Sequence, residues 1–388
     1  MEGDTIVRVD WARLEGRRPR KAGSNARLGE HGDIVRPPVA RLTTADGVTG
    51  FGPARLTPEQ ASALLGLRVA DLLGPTGVAA AFVPSPAAGE AWLSAEFPLL
   101  DLAGRRAGQT VYRLAASLVG GTVSEPLRVR VYDTSLYVDD LRLADDAEAA
   151  ALIADEAWQG HARGHRAFKI KVGRGARHLP LEQGTRRDVA VIRAVRDAVG
   201  ADAPIMIDAN NGYNLNLTKR VLSETADCRL HWIEEPFHED PVLYRELKEW
   251  LAREGLSVLV ADGEGEASPS LLDWAREGLV DVVQYDVFHS GFSRWLEVGR
   301  KLDEWGRLSA PHHYGGFFGN FTSGHLAGAI RSFAAVEWDE AVVPGVDTSR
   351  YVVRDGWVEL PDAPGFGLDL DGDAMADAIA AGGFAVSL

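Results

Sequence analysis

Apolar and polar residues follow two different patterns along the chain, and the change between them falls near residue 126. Before it, residues 5–15 and 39–53 alternate with a period of two, and Ala45-Asp46-Gly47 supplies a turn signal, so antiparallel strands are predicted there. The segment 16–33 between them is polar and rich in arginine and lysine. It is predicted either as a mobile solvated loop or as a lid that presents cations to an anionic substrate.

Two helical segments are predicted in the same part of the chain. Thr57-Pro58-Glu59-Gln60 has the arrangement of a capping box with proline at the first helical position, so we expect a helix from there to about Leu73. The stretch from Pro75 to Gly89 is rich in Pro, Gly and Ala and is expected to be a linker or loop. Helical spacing returns from Glu96 to Leu118 and ends at Gly120-Gly121.

From residue 127 onward, short runs of strand-forming residues recur, each followed by a helical segment. Their spacing is about that of a βα unit, and eight of them in alternation favour a parallel barrel over an open sheet. The runs are Leu127–Tyr132, Ala167–Val172, Ile205–Ala209, His231–Glu234, Val258–Ala261, Val280–Tyr285, Arg307–Ala310 and Phe333–Trp338. The tail is rich in Gly, Pro and Asp, contains one more hairpin pattern and is predicted to return to the N-terminal unit. We therefore predict an α/β chain in three parts: 1–125, 126–342 and 343–388.

The composition excludes several classes of function. Hydrophobic residues make up 46% and charged residues 25%, which is ordinary for a globular protein, and the formal charge of −15 argues against binding of nucleic acids or anionic membranes. The lone Cys228 excludes a disulfide framework within the chain and a zinc site built from several cysteines. The first residues lack a signal-peptide pattern, and no apolar run is long enough to span a bilayer. We expect a soluble cytoplasmic protein.

Lys169 and Lys171 lie at i and i+2 in the second predicted strand, so their side chains point to the same face. Mutual repulsion and burial both disfavour the charged form, so we expect at least one of them to have a depressed pKa and to be a plausible proton acceptor. Taken alone, however, the pattern is more typical of a solvated strand face.

Titratable residues lie at the C-terminal ends of seven consecutive predicted strands. In a barrel, the C-terminal ends of the strands meet at one face. They are Lys169-Ile170-Lys171, Asp208-Ala209-Asn210, Glu234-Glu235, Asp262-Gly263-Glu264, Asp286, His312-His313 and Glu337-Trp338-Asp339. Carboxylates from three neighbouring strands form an oxygen site suited to Mg²⁺, and the natural triple is Asp208, Glu234 and Glu264. Glu235 precedes a proline and is expected to face outward.

Two positions are ambiguous in sequence. Asp262 and Glu266 compete with Glu264 for the role of third ligand, and we prefer Glu264. His312 and His313 are adjacent, so only one of them faces the site. We prefer His312, which Asp286 on the adjacent strand would orient and make more basic.

These residues resemble the enolase superfamily, and its mandelate racemase subgroup in particular. Lys169-Ile170-Lys171 is similar to the K-x-K motif of that subgroup, and Asp101-Leu102-Ala103-Gly104-Arg105 to the helix that leads into its barrel. The segment from Pro361 to Gly367 is similar to its closing P-x-x-P-G-x-G pattern. The resemblance implies a modified TIM barrel, (β/α)₇β, with an α+β capping domain formed by the N-terminal region and the C-terminal tail.

The resemblance also implies roles for individual residues. Lys171 would abstract the proton α to a carboxylate, and His312, paired with Asp286, would act from the opposite face. Three carboxylates would bind Mg²⁺: Asp208, Glu234 and Glu264. Glu337 would donate a hydrogen bond to the substrate carboxylate. We expect three residues to contact the substrate: Asn210, Lys169 and Glu337.

The resulting expectation is Mg²⁺-dependent formation of an enediolate from a small carboxylate substrate, most readily the dehydration of a sugar acid such as an aldonate or aldarate. The alternatives are a racemase or epimerase of a 2-hydroxy acid and a barrel that binds metal and ligand without turnover. The muconate-cycloisomerase and dipeptide-epimerase types place a lysine on the sixth strand, and this chain has none between Lys248 and Lys301. A homo-oligomer is the usual expectation for such an enzyme.

Overall fold

A computed structural model describes residues 2–72, 94–123 and 127–388. Its N-terminal part is built on a small antiparallel sheet whose strand order is β18-β1-β4-β5. The strands are β1 (Ile6–Arg13), β4 (Pro38–Thr44), β5 (Thr49–Pro53) and, from the end of the chain, β18 (Phe384–Ser387). β18 pairs with β1, so the end of the chain lies against the N-terminal strands.

The helices of this unit differ in extent from the prediction. The capping box at Thr57 is present, but α1 (Pro58–Leu64) ends nine residues early, before Gly66 with φ 82°, and a short α2 (Val69–Leu72) follows. The predicted helix 96–118 is two helices, α3 (Glu96–Ala107) and α4 (Val111–Leu118). Gly108 adopts φ 63° and ends α3, since a residue without Cβ takes this conformation at little cost. The predicted linker 75–89 lies outside the described residues.

The eight predicted runs form the parallel strands of the barrel, and the predicted fold class is confirmed. The strands are β6 (Arg128–Leu136), β7 (Phe168–Lys171), β8 (Ile205–Asp208), β9 (Trp232–Glu234), β10 (Leu259–Asp262), β11 (Val282–Val283), β12 (Leu308–Ser309) and β13 (Val336–Trp338). They pair in chain order, β13 pairs with β6, and a bridge from Ser309 to Phe333 closes the ring.

Helices surround the barrel. They are α5 (Asp146–Ala162), α6 (Leu181–Val199), α7 (Leu215–Glu224), α8 (Pro241–Glu254), α9 (Leu271–Glu277), α10 (Val287–Ser290), α11 (Phe292–Trp305) and α12 (Gly319–Thr322), with short 3₁₀ turns at Arg174–Ala176, Ala226–Cys228 and Ser323–Gly328. The tail adds β14 (Val346–Asp347), β15 (Val353–Arg354), β16 (Trp357–Glu359), β17 (Asp369–Leu370) and α13 (Gly372–Ala380). Within the described ranges, no helix is both long and apolar enough to cross a membrane.

The segment predicted as a solvated loop or a lid contains a hairpin of β2 (Gly16–Ala22) and β3 (Gly32–Val35). The hairpin is held against the barrel by backbone pairing of Ser24 with Val138 and by a bidentate ion pair between Arg18 and Asp339, at 2.9 and 2.8 Å. Its position over the strand ends agrees with the lid alternative.

Buried carboxylates join the capping unit to the rest of the molecule. Asp101 on α3 accepts hydrogen bonds from the backbone N–H of Phe51 on β5 and of Phe366 in the closing segment, at 3.0 and 2.8 Å. Glu96, at the start of α3, accepts from the backbone N–H groups of Phe292 and Ser293 and so caps the barrel helix α11. The orientation of the cap on the barrel is therefore fixed by hydrogen bonds as well as by apolar packing.

Candidate active site

The three predicted metal ligands come together at the C-terminal ends of β8, β9 and β10. Asp208, Glu234 and Glu264 each place a carboxylate oxygen so that all three oxygens lie within 4.8 Å of one another. Asp208 and Glu234 are fully buried, and the buried Glu264 Oε2 atom lies 3.2 Å from His312 Nε2 without a hydrogen bond of good geometry in the described part of the chain. Three carboxylates clustered in this way fit a hard divalent cation such as Mg²⁺.

The two lysines of β7 occupy different places beside these carboxylates. Lys169 is 1% exposed, and its Nζ lies 2.7 Å from Glu234 Oε1 and 3.1 Å from Glu337 Oε1. Lys171 contacts Asp208 Oδ2 and lines an open cavity, which Lys169 does not. Each ammonium lies 5.6 Å from a tyrosine ring centre, Tyr132 for Lys169 and Tyr137 for Lys171.

The expectation of a depressed lysine pKa is wrong for this charge arrangement. Burial disfavours both ammonium groups, but the surrounding carboxylates outweigh it. Glu234 and Glu337 hold the pKa of Lys169 well above its ordinary value, and Asp208 and Glu264 raise the pKa of Lys171. Repulsion between the two lysines is the weaker influence, because each ammonium lies close to a carboxylate.

The two adjacent histidines have different surroundings in the structure. His312 Nδ1 lies 3.2 Å from Asp286 Oδ2, its Nε2 lies 3.2 Å from Glu264 Oε2, and its ring lines the same cavity as Lys171. Burial lowers the pKa of His312, but Glu264, Glu337 and Asp286 together raise it to about 10. His313 is buried with both ring nitrogens unpaired within the described residues, and only its backbone N–H reaches the site.

The three acids at the end of the fifth strand have different surroundings in the structure. Asp262 accepts a 2.5 Å hydrogen bond from the Tyr244 hydroxyl and lies outside the carboxylate triple, whereas Glu266 is exposed. Burial raises the pKa of Asp262 well above its ordinary value. Glu264 is thus the residue on this strand that reaches Asp208 and Glu234.

The expectation that Glu235 faces outward is wrong. Glu235 is 4% exposed and accepts hydrogen bonds from the side chains of Asn210 and Asn211, at 3.0 and 2.9 Å. Asn210 and Glu235 both have φ 42°, in the left-handed region that residues other than glycine adopt at a cost. Asn210 also donates to Glu264 Oε1 at 3.0 Å, so it touches a member of the carboxylate triple.

Glu337, at the end of β13, is enclosed by hydrogen-bond donors. Its Oε1 accepts from the Thr134 hydroxyl at 2.8 Å, and its Oε2 accepts from the backbone N–H of His313 and Tyr314 at 2.8 and 3.0 Å. Burial favours the neutral acid, but Lys169 and His312 hold the pKa of Glu337 well below its ordinary value. In this arrangement Glu337 is a carboxylate, so the proton that the resemblance assigns to it is absent.

A cavity of about 340 Å³ lies between the hairpin and the strand ends. Lys171, Glu264 and His312 line one part of it, and the hairpin contributes most of the rest. Sequence reasoning missed three lining residues: His31, Tyr137 and Tyr314. The first strand was predicted to end at Tyr132, whereas β6 extends to Leu136, so Tyr137 follows a strand end that the sequence pattern did not indicate. A second cavity, of about 400 Å³, lies at the opposite end of the barrel around Trp232 and is remote from these groups.

Another group with the donor atoms of a metal site consists of Asp133, His165 and Glu340. Arg163 lies 3.1 Å from Glu340 and 3.7 Å from Asp133, and His165 Nε2 lies 2.6 Å from Glu340. The arginine supplies the positive charge that a cation would otherwise bring, so we interpret this group as a buried ion-pair cluster.

Comparison with known proteins agrees with this geometry. Residues 152–374, more than half of the chain, match the Enolase C-terminal domain-like family. The chain belongs to that family. Among curated members of the superfamily, D-galactarolactone cycloisomerase of Agrobacterium fabrum is 28% identical over 304 residues, which cover 73% of this chain and 72% of the relative.

Two crystal structures of superfamily members are much more similar. A galacturonate dehydratase from Geobacillus sp., solved as a mutant with Mg, is 45% identical with a TM-score of 0.93, over 100% of this chain and 98% of that one. The same named enzyme in complex with D-galacturonate and 5-keto-4-deoxy-D-galacturonate is 46% identical with a TM-score of 0.91, over 99% and 100%. The predicted resemblance to the enolase superfamily and its mandelate racemase subgroup is confirmed.

Proposed function

We propose that this protein is a Mg²⁺-dependent sugar acid dehydratase whose substrate is a hexuronate of the D-galacturonate type. The observation that carries the proposal is that Lys171 and His312 line one cavity together with Glu264, whose carboxylate belongs to the triple with Asp208 and Glu234. The similar Geobacillus enzyme was crystallised with D-galacturonate and 5-keto-4-deoxy-D-galacturonate, a pair that differs by one molecule of water.

Each residue then has a defined task. The Lys171 amine accepts the proton from the carbon α to the substrate carboxylate. The His312 imidazolium donates a proton to the β-hydroxyl, which leaves as water, and the enol that remains tautomerises to the ketone. Lys169 lies beside the carboxylates as a fixed positive charge. Asp286 holds the His312 ring through Nδ1 and leaves Nε2 toward the cavity.

Asp208, Glu234 and Glu264 are the residues that would hold Mg²⁺, which when bound would stabilise negative charge on the substrate carboxylate. The same carboxylates hold the proton on Lys171 in the structure. Lys171 must lose that proton before it can act as a base. A cation that neutralises part of the carboxylate charge would lower the pKa of Lys171 and so favour its role as the base.

The charge of His312 favours dehydration over epimerisation. Against burial, Glu264, Glu337 and Asp286 raise the pKa of His312 to about 10. A cation held by Glu264 would weaken the first of these influences, but Glu337 and Asp286 lie outside the carboxylate triple and favour an imidazolium that can donate to a leaving hydroxyl. A two-base epimerase would need a neutral His312 for one of its two directions. The racemase alternative is therefore the weaker of the two.

The test is turnover of D-galacturonate and related sugar acids in D₂O with Mg²⁺, followed by NMR. We expect α-proton exchange and a keto-deoxy product, and we expect Lys171→Ala to lower both by at least about 10³-fold. Lys219→Ala is the matched control, because Lys219 forms a surface pair with Glu246. If the folded, Mg²⁺-binding protein neither exchanges nor dehydrates any acid of the panel, the proposal is wrong.

We also propose that the parts 1–125, 126–342 and 343–388 act as cap, barrel and returning tail, and that the protein is a homo-oligomer. The pairing of β18 with β1 supports the first statement. Light scattering during size-exclusion chromatography tests the second, and a monomeric mass would contradict it.

A further inference from the structure

The side of the cavity formed by the β2–β3 hairpin carries no free cation among the described lining residues. Arg18 is paired with Asp339 through two contacts of 2.9 and 2.8 Å. Arg36 is paired with Glu15 at 3.0 and 2.8 Å. The other hairpin residues that line the cavity are neutral or apolar: Asn25, Leu28, His31, Ile34 and Val35.

The tautomer of His31 follows from its contacts. Its Nδ1 lies 2.8 Å from the carbonyl oxygen of Gly23, which can only accept, so Nδ1 carries the hydrogen. Burial, together with the nearby charges of Lys171 and Arg18, lowers the pKa of His31 and keeps the ring neutral. Nε2 is then a hydrogen-bond acceptor, and it has no partner in the described part of the chain.

The ring of His31 is also held in place. It packs edge-on against Tyr137 and Tyr314, with ring centres 4.9 and 5.9 Å apart, and the Arg18 guanidinium lies 4.6 Å from the Tyr314 ring centre. A ring fixed at Nδ1 and on its edges presents Nε2 at a defined position, which is what selective recognition requires.

We infer that His31 is a specificity-determining residue whose Nε2 accepts a hydrogen bond from a hydroxyl at the end of the substrate remote from its carboxylate. The site thereby selects acids with one carboxylate and an uncharged far end, and rejects aldarates, whose second carboxylate would meet a lone pair and two neutralised arginines. The inference rests on the proposed function for the orientation of the substrate.

The experiment measures equilibrium binding by calorimetry with Mg²⁺ in a Lys171→Ala background, where turnover does not interfere. The probes are D-galacturonate and the aldarate with the same carbon skeleton. We expect the uronate to bind at least about tenfold more tightly, because the second carboxylate of the aldarate would be partly desolvated beside two arginines that are already paired.

Substitutions at His31 test the residue itself. His31→Asn keeps a donor for the Gly23 carbonyl but is too short to place its amide oxygen where His31 Nε2 lies, and we expect about tenfold weaker uronate binding. His31→Gln, whose amide oxygen reaches farther, should restore part of the loss. His31→Lys adds a free cation and should strengthen aldarate binding at least about tenfold. Leu28→Ala, which alters the same cavity without removing a polar atom, is the control and should change uronate binding by less than about threefold.

Failure of this inference can be told from failure of the proposed function. Equal binding of uronate and aldarate to the parent protein, or unchanged uronate binding in both His31→Asn and His31→Gln, overturns the role of His31 even if dehydration is observed. If the binding pattern holds but the enzyme with Lys171 intact dehydrates no sugar acid, the inference stands and the proposed reaction is wrong.

Discussion

At the scale of the single residue, Glu337 shows how completely a charge can be fixed by its surroundings. Both of its oxygens face groups that can only donate, the Lys169 ammonium 3.1 Å from Oε1 and the backbone N–H groups of His313 and Tyr314 at Oε2. In Glu337→Gln the amide NH₂ would face a donor in either orientation. We expect the free energy of unfolding to fall by about 1–3 kcal/mol. Urea unfolding measures this change.

The control for that prediction is the same substitution at an exposed glutamate. Glu359→Gln on β16 should change the free energy of unfolding by less than about 0.5 kcal/mol. Equal stability of the Glu337→Gln and Glu359→Gln proteins would mean that the donors around Glu337 do not require a carboxylate.

The protonation states of the site residues could not be predicted from the sequence. The positions of Asp208, Glu234 and Glu264 follow from the strand pattern, since each residue lies at or just beyond a strand end. The pKa of Lys171 depends instead on which carboxylates of other strands surround it, and the role of His31 depends on how the hairpin lies over the barrel. Both are long-range contacts, which local pattern does not encode.

At the scale of the element, the β2–β3 hairpin is held on the barrel by a buried ion pair as well as by backbone pairing. Arg18→Ala would leave Asp339 buried without its partner, so we expect the free energy of unfolding to fall by about 3 kcal/mol and kcat/KM for the sugar acid to fall at least about tenfold. The neighbouring Arg17, 61% exposed and paired with Asp33, supplies the control. Arg17→Ala should change stability by less than about 0.5 kcal/mol.

The prediction for Arg18→Ala is tested by two measurements: chemical unfolding and the protease sensitivity of the segment between β2 and β3. A hairpin that is as resistant to protease in Arg18→Ala as in Arg17→Ala would show that the strand pairing alone keeps it in place. The sequence identified the segment as unusual but left its structure open, because Gly16–Ala22 is a basic run without apolar alternation and forms a strand only where a partner strand is present.

At the scale of the whole molecule, the buried acids and bases link stability to pH and to metal. The pKa of His312 is raised from 6.5 to about 10, and that of Glu235 is raised from 4.5 to about 9, chiefly by burial and then by Glu264. A group whose pKa is raised by folding contributes stability below its unfolded pKa, and that stability is lost as the pH rises to the folded value. The stability contributed by His312 is therefore lost between pH 6.5 and 10, and that contributed by Glu235 between pH 4.5 and 9. Asp286 and Glu337 have lowered pKa values, so their contribution is lost only as the pH falls through the acid range.

From about pH 6 to about pH 9 we therefore expect the Tm of the metal-free protein to fall. Saturating Mg²⁺ should oppose this fall, because a cation binds deprotonated carboxylates and stabilises the folded state that holds it. The measurement is thermal unfolding at both pH values in EDTA and in Mg²⁺, and the Mg²⁺-induced rise in Tm should be larger at the higher pH. Glu264→Gln, which removes one carboxylate of the triple, should lose most of that rise. A rise that is equal at both pH values, or that survives in Glu264→Gln, would show that Mg²⁺ stabilises the protein at some other place.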